Sequence, residues 1–231
     1  MRRLGTDAIM PGMDESLPAD DDPRPLGRTH PPFDPQPVIL TGRLVRLEPL
    51  TLDHVERLAE VALDAEIWRW TRDRPGTLAE LRAYVERALH AASTGSEVPF
   101  AQIDLATGRA IGSTRFLSIV REERRLEIGH TWVGRAFWGR GHNPDAKRIL
   151  LAHAFDDLGA HRVEFKTDAL NGRSRAALAR IGATEEGTLR RHLHTYGNRV
   201  RDSVYFSVIW EEWSQVRDRL DASIDEAVAR A

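Results

Sequence analysis

The stretch WGRGHNPDAK, residues 138–147, carries the features of a helix start that binds an anion. Asn143 is a favourable N-cap residue, and Pro144 suits the first helical turn, where a missing N–H group is tolerated. These two residues predict a helix that begins at about Asn143. The unpaired N–H groups and the macrodipole at such an end attract negative charge.

The loop before this helix adds to the attraction for an anion. Gly139 and Gly141 allow the backbone to approach a ligand closely, and Arg140 and His142 contribute positive charge or donor groups. A pyrophosphate would suit this arrangement. The loop lacks the Gly-Lys-Ser/Thr of a P-loop and the complete G-x-G-x-x-G of a dinucleotide fingerprint. Taken alone, it is equally well explained as an ordinary turn between a strand and a helix.

A second group of ionisable side chains lies near the end of the chain, on a predicted hairpin. Its members are Arg190, Arg191, His192, His194, Arg199 and Arg201. Two histidines without a third ligand make a weak metal site, so we expect no bound metal. The cationic set would attract an acidic substrate or phosphate groups, although a solvated hairpin is the simpler interpretation.

Elements that would position these residues follow from the apolar pattern. Alternation predicts strands over residues 43–50, 99–105, 110–120, 124–133, 162–168, 184–196 and 200–210. Helical periodicity predicts helices over residues 52–63, 77–93, 144–159, 172–182 and 211–220. Thr77 and Glu80 form a capping box at the start of the second helix. The pattern predicts an α+β fold, in which helices flank a mixed, mostly antiparallel sheet of about seven strands. Trp68 and Trp70, after the first helix, either pack in the core or line a substrate pocket.

Composition divides the chain into three parts. Residues 1–37 hold eight of the twelve prolines and many aspartates, which predicts a flexible arm. We expect the end of this arm, HPPFDPQPVIL, to contact the domain. Residues 38–221 form a single domain, and residues 222–231 form a C-terminal tail.

Bulk properties exclude several classes of protein. The net charge of −2 argues against general nucleic-acid binding, and cysteine is absent, which excludes disulfides and thiolate zinc sites. No apolar run approaches the length of about 20 residues that a membrane span needs. The first 15 residues have no apolar segment typical of a secretory signal. We therefore expect a cytoplasmic location, with a homodimer as the default assembly.

Several motifs in order resemble the GNAT superfamily of acyl-CoA-dependent N-acetyltransferases. They are LEIGHTWV, FWGRGHNPDAK, RVEFKTD, NGRSRAALARIGA and the final hairpin, together spanning about residues 39–213. The resemblance is nearest to the branch with ribosomal-protein N-terminal acetyltransferases. It implies the GNAT fold, acetyl-CoA as donor and a primary amine as acceptor, which is a small molecule or a peptide N-terminus. The amine would attack directly in a ternary complex.

The resemblance also implies where acetyl-CoA binds. Family members bind the CoA pyrophosphate with a Q/R-x-x-G-x-G/A loop, in which Trp138 and Asn143 replace the first and last residues here. They pair the pantetheine arm with the backbone at the end of the preceding strand. The implied ligands are Trp132, Val133, Gly139, Arg140, Gly141, His142, Asn143, Asn171 and Ser174. For Asn171, a helix cap is the alternative role.

Glu127 is the first candidate for the general base, because some family members use a glutamate in this strand context. The alternative is a surface carboxylate paired with Arg124 or Arg125. His130 is the second candidate, since its ordinary pKa of about 6.5 suits proton transfer; the alternative is a histidine with a structural role. Alternation places Glu127 and His130 on opposite faces, so without a bulge only one of them faces the cleft. Some members place a tyrosine acid where this chain has Leu178.

Two other interpretations remain open at this stage. One is a non-catalytic acyl-CoA-binding or regulatory module on the same fold, because a fold does not determine a function. The other is a protein that binds a nucleotide or phosphosugar through the same anion loop.

Overall fold

A computed structural model of the chain describes residues 32–230, within which eight strands form one mixed sheet. The strands are β1 Leu40–Thr41, β2 Val45–Pro49, β3 Val98–Asp104, β4 Ala110–Val120, β5 Arg125–Val133, β6 Arg162–Asp168, β7 Thr184–His194 and β8 Val200–Ile209. Their order is β1-β2-β3-β4-β5-β6-β8-β7, and only β5 and β6 run parallel. The seven expected strands are present, and the additional one is the two-residue β1.

Helices cover the two faces of the sheet. Helices α1 His54–Ala62 and α2 Leu78–Ser93 pack on one face, together with Trp132 of β5. Helices α3 His142–Ala152, α4 Gly172–Ile181 and α5 Trp213–Val228 pack on the other, where Phe165 of β6 is buried. The capping box at the start of α2 is present, with both reciprocal hydrogen bonds formed. Among the helices of residues 32–230, none has the length and apolar composition that crossing a membrane takes.

Both ends of the described chain pack against the domain. Phe33 is buried in the core and Asp34 forms an ion pair with Arg121, so the segment from residue 32 contacts the domain as expected. Residues 1–31 of the predicted arm lie outside the described residues. The predicted tail from residue 222 is wrong for its first part, because α5 continues to Val228. Ile224 in this extension is buried, so apolar packing carries the helix past residue 221.

Asp145 ties the first turn of α3 to the beginning of β2. Its carboxylate is buried and accepts hydrogen bonds from the backbone N–H groups of Leu44 and Val45, at 2.6 and 3.0 Å. The same carboxylate lies near the positive end of the helix, where negative charge is favourable. Asp145 therefore fixes the start of α3 relative to the sheet.

We expect Asp145→Ala to lower the free energy of unfolding by about 3 kcal/mol, because it leaves one buried and one partly buried N–H group without their charged acceptor. Urea denaturation would measure the loss. The matched control is Asp225→Ala, which removes an exposed ion pair with Arg43 and should leave the midpoint almost unchanged. Equal midpoints for the two variants would contradict the role given to Asp145.

Candidate active site

A cleft opens in the sheet because β5 and β6 pair over only a short length. Residues 125–127 of β5 pair with residues 162–164 of β6, and the two strands separate beyond Glu127. In open sheets that contain parallel strands, ligands bind where neighbouring strands diverge. The separation therefore places a cleft at the carboxyl ends of β5 and β6.

A β-bulge at His130 shapes the wall of this cleft. Arg115 of β4 pairs with Gly129, and Ser113 pairs with Trp132, so one residue of β4 faces two residues of β5. His130 has a φ of 48°, in the left-handed region that histidine enters more readily than most residues. The bulge shifts the alternation of side chains by one residue.

Because of the bulge, Glu127 and His130 lie on the same face of the sheet. A side chain at Gly129 would meet the Glu127 carboxylate, so these two positions share a face, and Gly129 pairs with Arg115. The Arg115 guanidinium lies over the Tyr84 ring, and the His130 ring is 6.5 Å from that same ring. The opposite placement expected from simple alternation is therefore wrong.

Glu127 is a buried carboxylate at the point where the strands separate. Its side chain accepts hydrogen bonds from Lys166 Nζ at 3.0 Å and from Ser118 Oγ at 3.5 Å, and the residue is 4% exposed. Burial raises the pKa of the Glu127 carboxyl above its ordinary value, and the Lys166 ammonium opposes this rise. Arg125 pairs with Glu164 instead. The result is a carboxylate with increased affinity for a proton.

The pKa of His130 is shifted in the opposite direction, so its imidazole has a reduced affinity for a proton. The crowded cleft and the nearby Arg115 guanidinium lower the pKa of His130 below its ordinary value, although its exposure to solvent moderates the effect. An imidazole in this setting is neutral at pH 7 and holds an added proton weakly. Of the two candidates, the electrostatics favour Glu127 as a base.

Helix α3 begins earlier than expected. Gly141 is its N-cap, with a φ of 83°, and His142 is its first residue, so the prediction that Asn143 is the N-cap is wrong. The left-handed conformation of Gly141 turns the chain into the helix two residues before Asn143. Within residues 32–230, the N–H groups of Gly139, Gly141, His142 and Asn143 donate to no acceptor. These four N–H groups form what we call the amide cradle.

Side chains contribute less to the amide cradle than expected. Arg140 is exposed beside it. The His142 imidazole is turned inward, with Nε2 at 3.1 Å from the Asp104 carboxylate. The Asn143 Oδ1 atom accepts a hydrogen bond from Lys147 at 2.7 Å. The cradle therefore presents backbone N–H groups and the Arg140 guanidinium, whereas His142 and Asn143 contribute only their backbone.

The carbonyl groups at the end of β5 already take part in hydrogen bonds. The Val133 carbonyl accepts from Trp138 Nε1 at 2.8 Å, and the Trp132 carbonyl accepts from Gln102 Nε2 at 3.2 Å. The Val133 carbonyl oxygen keeps a second lone pair for a further donor, whereas the Trp132 carbonyl faces Gly112 of β4 rather than the cleft. The Trp138 indole therefore contacts the end of the cleft, which its place in the sequence did not suggest.

Helix α4 forms the other side of the cleft mouth. Asn171 caps it by accepting from the Ser174 N–H group at 3.1 Å, as the alternative interpretation held. The Arg173 guanidinium lies over the Trp138 indole, 3.4 Å from the ring centroid. Trp138, the residue before the amide cradle, and α4 thus meet through a cation–π contact. Arg173 escaped the sequence analysis because only the fold brings it to Trp138.

The remaining candidates fall in different places. Trp68 is buried against Trp132, and Leu178 lies in the core, so neither reaches the open cleft. In the hairpin, Arg190 and Arg191 are exposed, whereas the His192 ring lies 5.9 Å from the Tyr205 ring. Residues of the cleft that the sequence analysis missed are Tyr84, Arg115, Lys166, Arg173 and Tyr205. Alternation in RVEFKTD was the available signal for Lys166, since it places Lys166 and Asp168 on one face.

No group of three or more His, Asp or Glu side chains in residues 32–230 is arranged to hold a metal ion.

Comparison with known proteins gives consistent matches. Residues 44–184 match the family model described as an acetyltransferase (GNAT) domain. The chain is 30% identical over 165 residues to "Putative ribosomal N-acetyltransferase YdaF" of Bacillus subtilis (strain 168), covering 68% of this chain and 87% of that protein.

Solved structures show the same fold. The crystal structure of a GCN5-related N-acetyltransferase from Brucella melitensis superposes with a TM-score of 0.75 at 31% identity, covering 82% of this chain and 86% of that one. Mycobacterium smegmatis RimJ in complex with CoA-disulfide has a TM-score of 0.70 at 24% identity, covering 81% and 95% of the two chains. The latter likeness concerns the fold.

We expect Lys166→Met to raise the pKa of Glu127 further, because the substitution removes the ammonium that opposes the effect of burial. Carboxyl-carbon NMR of the free protein would follow the titration. Lys147→Met is the control, since the other lysine of the sequence packs against Asn143 on α3 and should leave this titration in place. A Glu127 pKa that stays constant or falls in Lys166→Met would contradict the electrostatic description.

Proposed function

The chain belongs to the GNAT family of acetyltransferases, and on that basis we propose that it transfers the acetyl group of acetyl-CoA to a primary amine. The amine attacks the thioester directly in a ternary complex, and Glu127 is the general base. The observation that carries this proposal is a buried carboxylate with a raised pKa at the point where β5 and β6 separate. The acceptor is a small molecule or a peptide N-terminus.

Glu127 suits the proton transfer that the reaction needs. An amine attacks only after it has lost its proton, and a base is most effective when its pKa lies near the working pH. Burial moves the pKa of Glu127 in that direction, while the Lys166 ammonium favours the ionised form that accepts a proton. As the nitrogen bonds to the carbonyl carbon, its proton passes to Glu127 and the C–S bond breaks. The leaving thiolate takes its proton from water or from another group, because the chain has the apolar Leu178 where some family members have a tyrosine acid.

Acetyl-CoA fits the cleft on the α3 side. Its pyrophosphate accepts from the four N–H groups of the amide cradle, which otherwise have no acceptor in residues 32–230. A side chain at Gly139 would meet no atom within 4 Å, so the backbone there is open to a ligand. The pantetheine arm runs along the end of β5 at Trp132 and Val133, as an added strand does, and passes Asn171 and Ser174.

The acceptor reaches Glu127 from the other face of the sheet. Glu127 and His130 lie on the face that α1 and α2 cover, together with Tyr84. Helix α3 lies on the opposite face. Donor and acceptor would therefore enter from opposite faces and meet in the gap between β5 and β6, which suits direct attack without a covalent enzyme intermediate.

We expect Glu127→Gln to reduce kcat by about 10²- to 10⁴-fold, which is the usual contribution of a general base. Release of free CoA, measured with a panel of primary amines, would report the loss. The variant should retain the rise in thermal midpoint caused by acetyl-CoA, because the amide cradle is unchanged. Glu123→Gln, in the exposed turn before β5, is the matched control and should keep full activity.

Three results would contradict the proposal in different ways. Turnover of Glu127→Gln equal to that of the unmodified protein would exclude Glu127 as the base. Binding of acetyl-CoA without turnover of any amine would favour a non-catalytic acyl-CoA-binding module. A thermal midpoint unaffected by millimolar acetyl-CoA would overturn the donor assignment.

We expect Arg140→Ala to weaken acetyl-CoA binding several-fold, most strongly at low salt, because its guanidinium is the exposed cation beside the amide cradle. His142→Gln should lower the thermal midpoint yet leave the acetyl-CoA affinity within about twofold, since its imidazole contacts the buried Asp104 rather than the cradle. Calorimetric titration at two salt concentrations would measure both. Equal losses of affinity would show that the His142 side chain takes part in binding.

A further inference from the structure

A polar surface extends from Glu127 across β6 and β8, on the face opposite α3. Lys166 pairs with Tyr205 in register, and Asp168 pairs with Ser203. Val204 and Phe206 alternate toward the core under α3, so Ser203 and Tyr205 lie on the face of Glu127. We call this surface the acceptor face. It consists of Glu127, Lys166, Asp168, Arg201, Ser203 and Tyr205.

Each carboxylate of the acceptor face already has its own cation. Glu127 forms an ion pair with Lys166 at 3.0 Å. Asp168 forms a short ion pair with Arg199, and it also accepts from the Leu170 N–H group at 2.9 Å. Neither carboxylate needs a second cation to be satisfied.

Arg201 therefore adds a third positive charge beside two carboxylates that already have ion-pair partners. It is 7% exposed, and its side chain donates only to neutral groups, Ser203 Oγ at 2.9 Å and the Trp70 carbonyl at 3.4 Å. Within residues 32–230, no carboxylate lies within ion-pair distance of Arg201. An arginine keeps its charge at any pH at which the protein is folded. Asp168 and Glu127 attract this charge from beyond ion-pair distance, but each of them has a closer cation. The Arg201 guanidinium is therefore buried without an ion-pair partner of its own, which is unfavourable.

The position of Arg201 identifies which substrate it would meet. It acts electrostatically on both Glu127 and His192, so it lies close to the proposed base. The amide cradle lies at the start of α3, on the other face, so the phosphates of the donor are not the counterion of Arg201. The acceptor is the substrate that comes to this face.

The Trp70 segment, which contacts Arg201, is rich in arginines and borders a surface cavity that Arg201 itself does not line. Trp70, whose carbonyl contacts Arg201, also lies under the Arg199 guanidinium. The segment on either side of Trp70 lines a surface cavity of about 290 Å³, together with Tyr196. Arg69 and Arg74 lie in that lining against the single carboxylate of Glu66.

We infer that the acceptor carries a carboxylate in addition to its reacting amine, and that Arg201 binds this carboxylate while Glu127 takes the proton from the amine. A guanidinium binds a carboxylate through two parallel hydrogen bonds, which fixes its orientation as well as its position. The inference rests on the proposed acetyl transfer and defines its substrate class. The carboxylate belongs either to a free amino acid or to an acidic side chain near a peptide N-terminus.

Matched pairs of acceptors test the inference, with CoA release as the readout. One pair is a free amino acid and its amide, and the other is a short peptide with glutamate or glutamine at its first position. Rates are corrected for the fraction of unprotonated amine at one fixed pH. The unmodified protein should prefer the carboxylate member of at least one pair by about tenfold or more in kcat/KM. The pair that shows the preference identifies the source of the carboxylate.

Arg201→Gln should reduce that preference toward one, mainly through KM for the carboxylate member. Arg201→Lys should restore part of it, because the charge returns without the planar pair of donors. Arg190→Gln removes the same charge from an exposed position of β7 and should keep the full preference. A rise in midpoint with acetyl-CoA shows that each variant is folded. No preference in the unmodified protein, or a preference that survives Arg201→Gln, would overturn the inference.

A binding measurement separates this inference from the proposed function. Calorimetry on the protein saturated with CoA compares an N-acetyl amino acid with its amide, which needs no turnover. Tighter binding of the carboxylate form that is lost in Arg201→Gln would support the subsite even if no amine were acetylated. Equal binding of the two forms would overturn it even if acetyl transfer occurred.

Discussion

The cleft depends on the short parallel contact between β5 and β6, which ends at the pair Glu127 and Glu164. A longer pairing would close the sheet and satisfy the backbone of both strands, leaving no gap in which two substrates meet. The bulge at His130 acts together with this limit, because it turns β5 and places His130 on the same face as Glu127. The site thus arises where regular strand pairing stops.

Burial and charge compete at Glu127, and their balance sets the chemistry of the cleft. Burial raises the pKa of the carboxyl, whereas an ion pair lowers it. Lys166 opposes the effect of burial only in part, since it is partly exposed and lies 3.0 Å from the carboxylate. The pKa of the carboxyl is therefore raised by less than burial alone would raise it.

Much of the fold could be predicted from the sequence, because the apolar pattern and the caps are local. The Thr77 capping box and the limits of β4 and β6 follow from such signals. The start of α3 could not be predicted, since Asn143 is a good N-cap by residue type. In the structure, Gly141 in a left-handed conformation is the N-cap instead. The bulge at His130 and the contact between Arg173 and Trp138 depend on neighbouring strands and helices, which no local pattern encodes. Motif resemblance located Glu127, but its partner Lys166 required the register of two strands.

The distribution of cations distinguishes the proposed donor site from the proposed acceptor site. On the α3 side, an anion meets backbone N–H groups at a helix start, which recognise any phosphate and say little about the rest of a ligand. At the acceptor face, Lys166 and the neighbouring Arg199 each have a carboxylate partner, whereas Arg201 does not. A buried, unpaired guanidinium recognises a particular geometry, because its donors are fixed in one plane. Selectivity for the acceptor is therefore expected to reside in β8, apart from the loop and helix at which we propose that the donor binds.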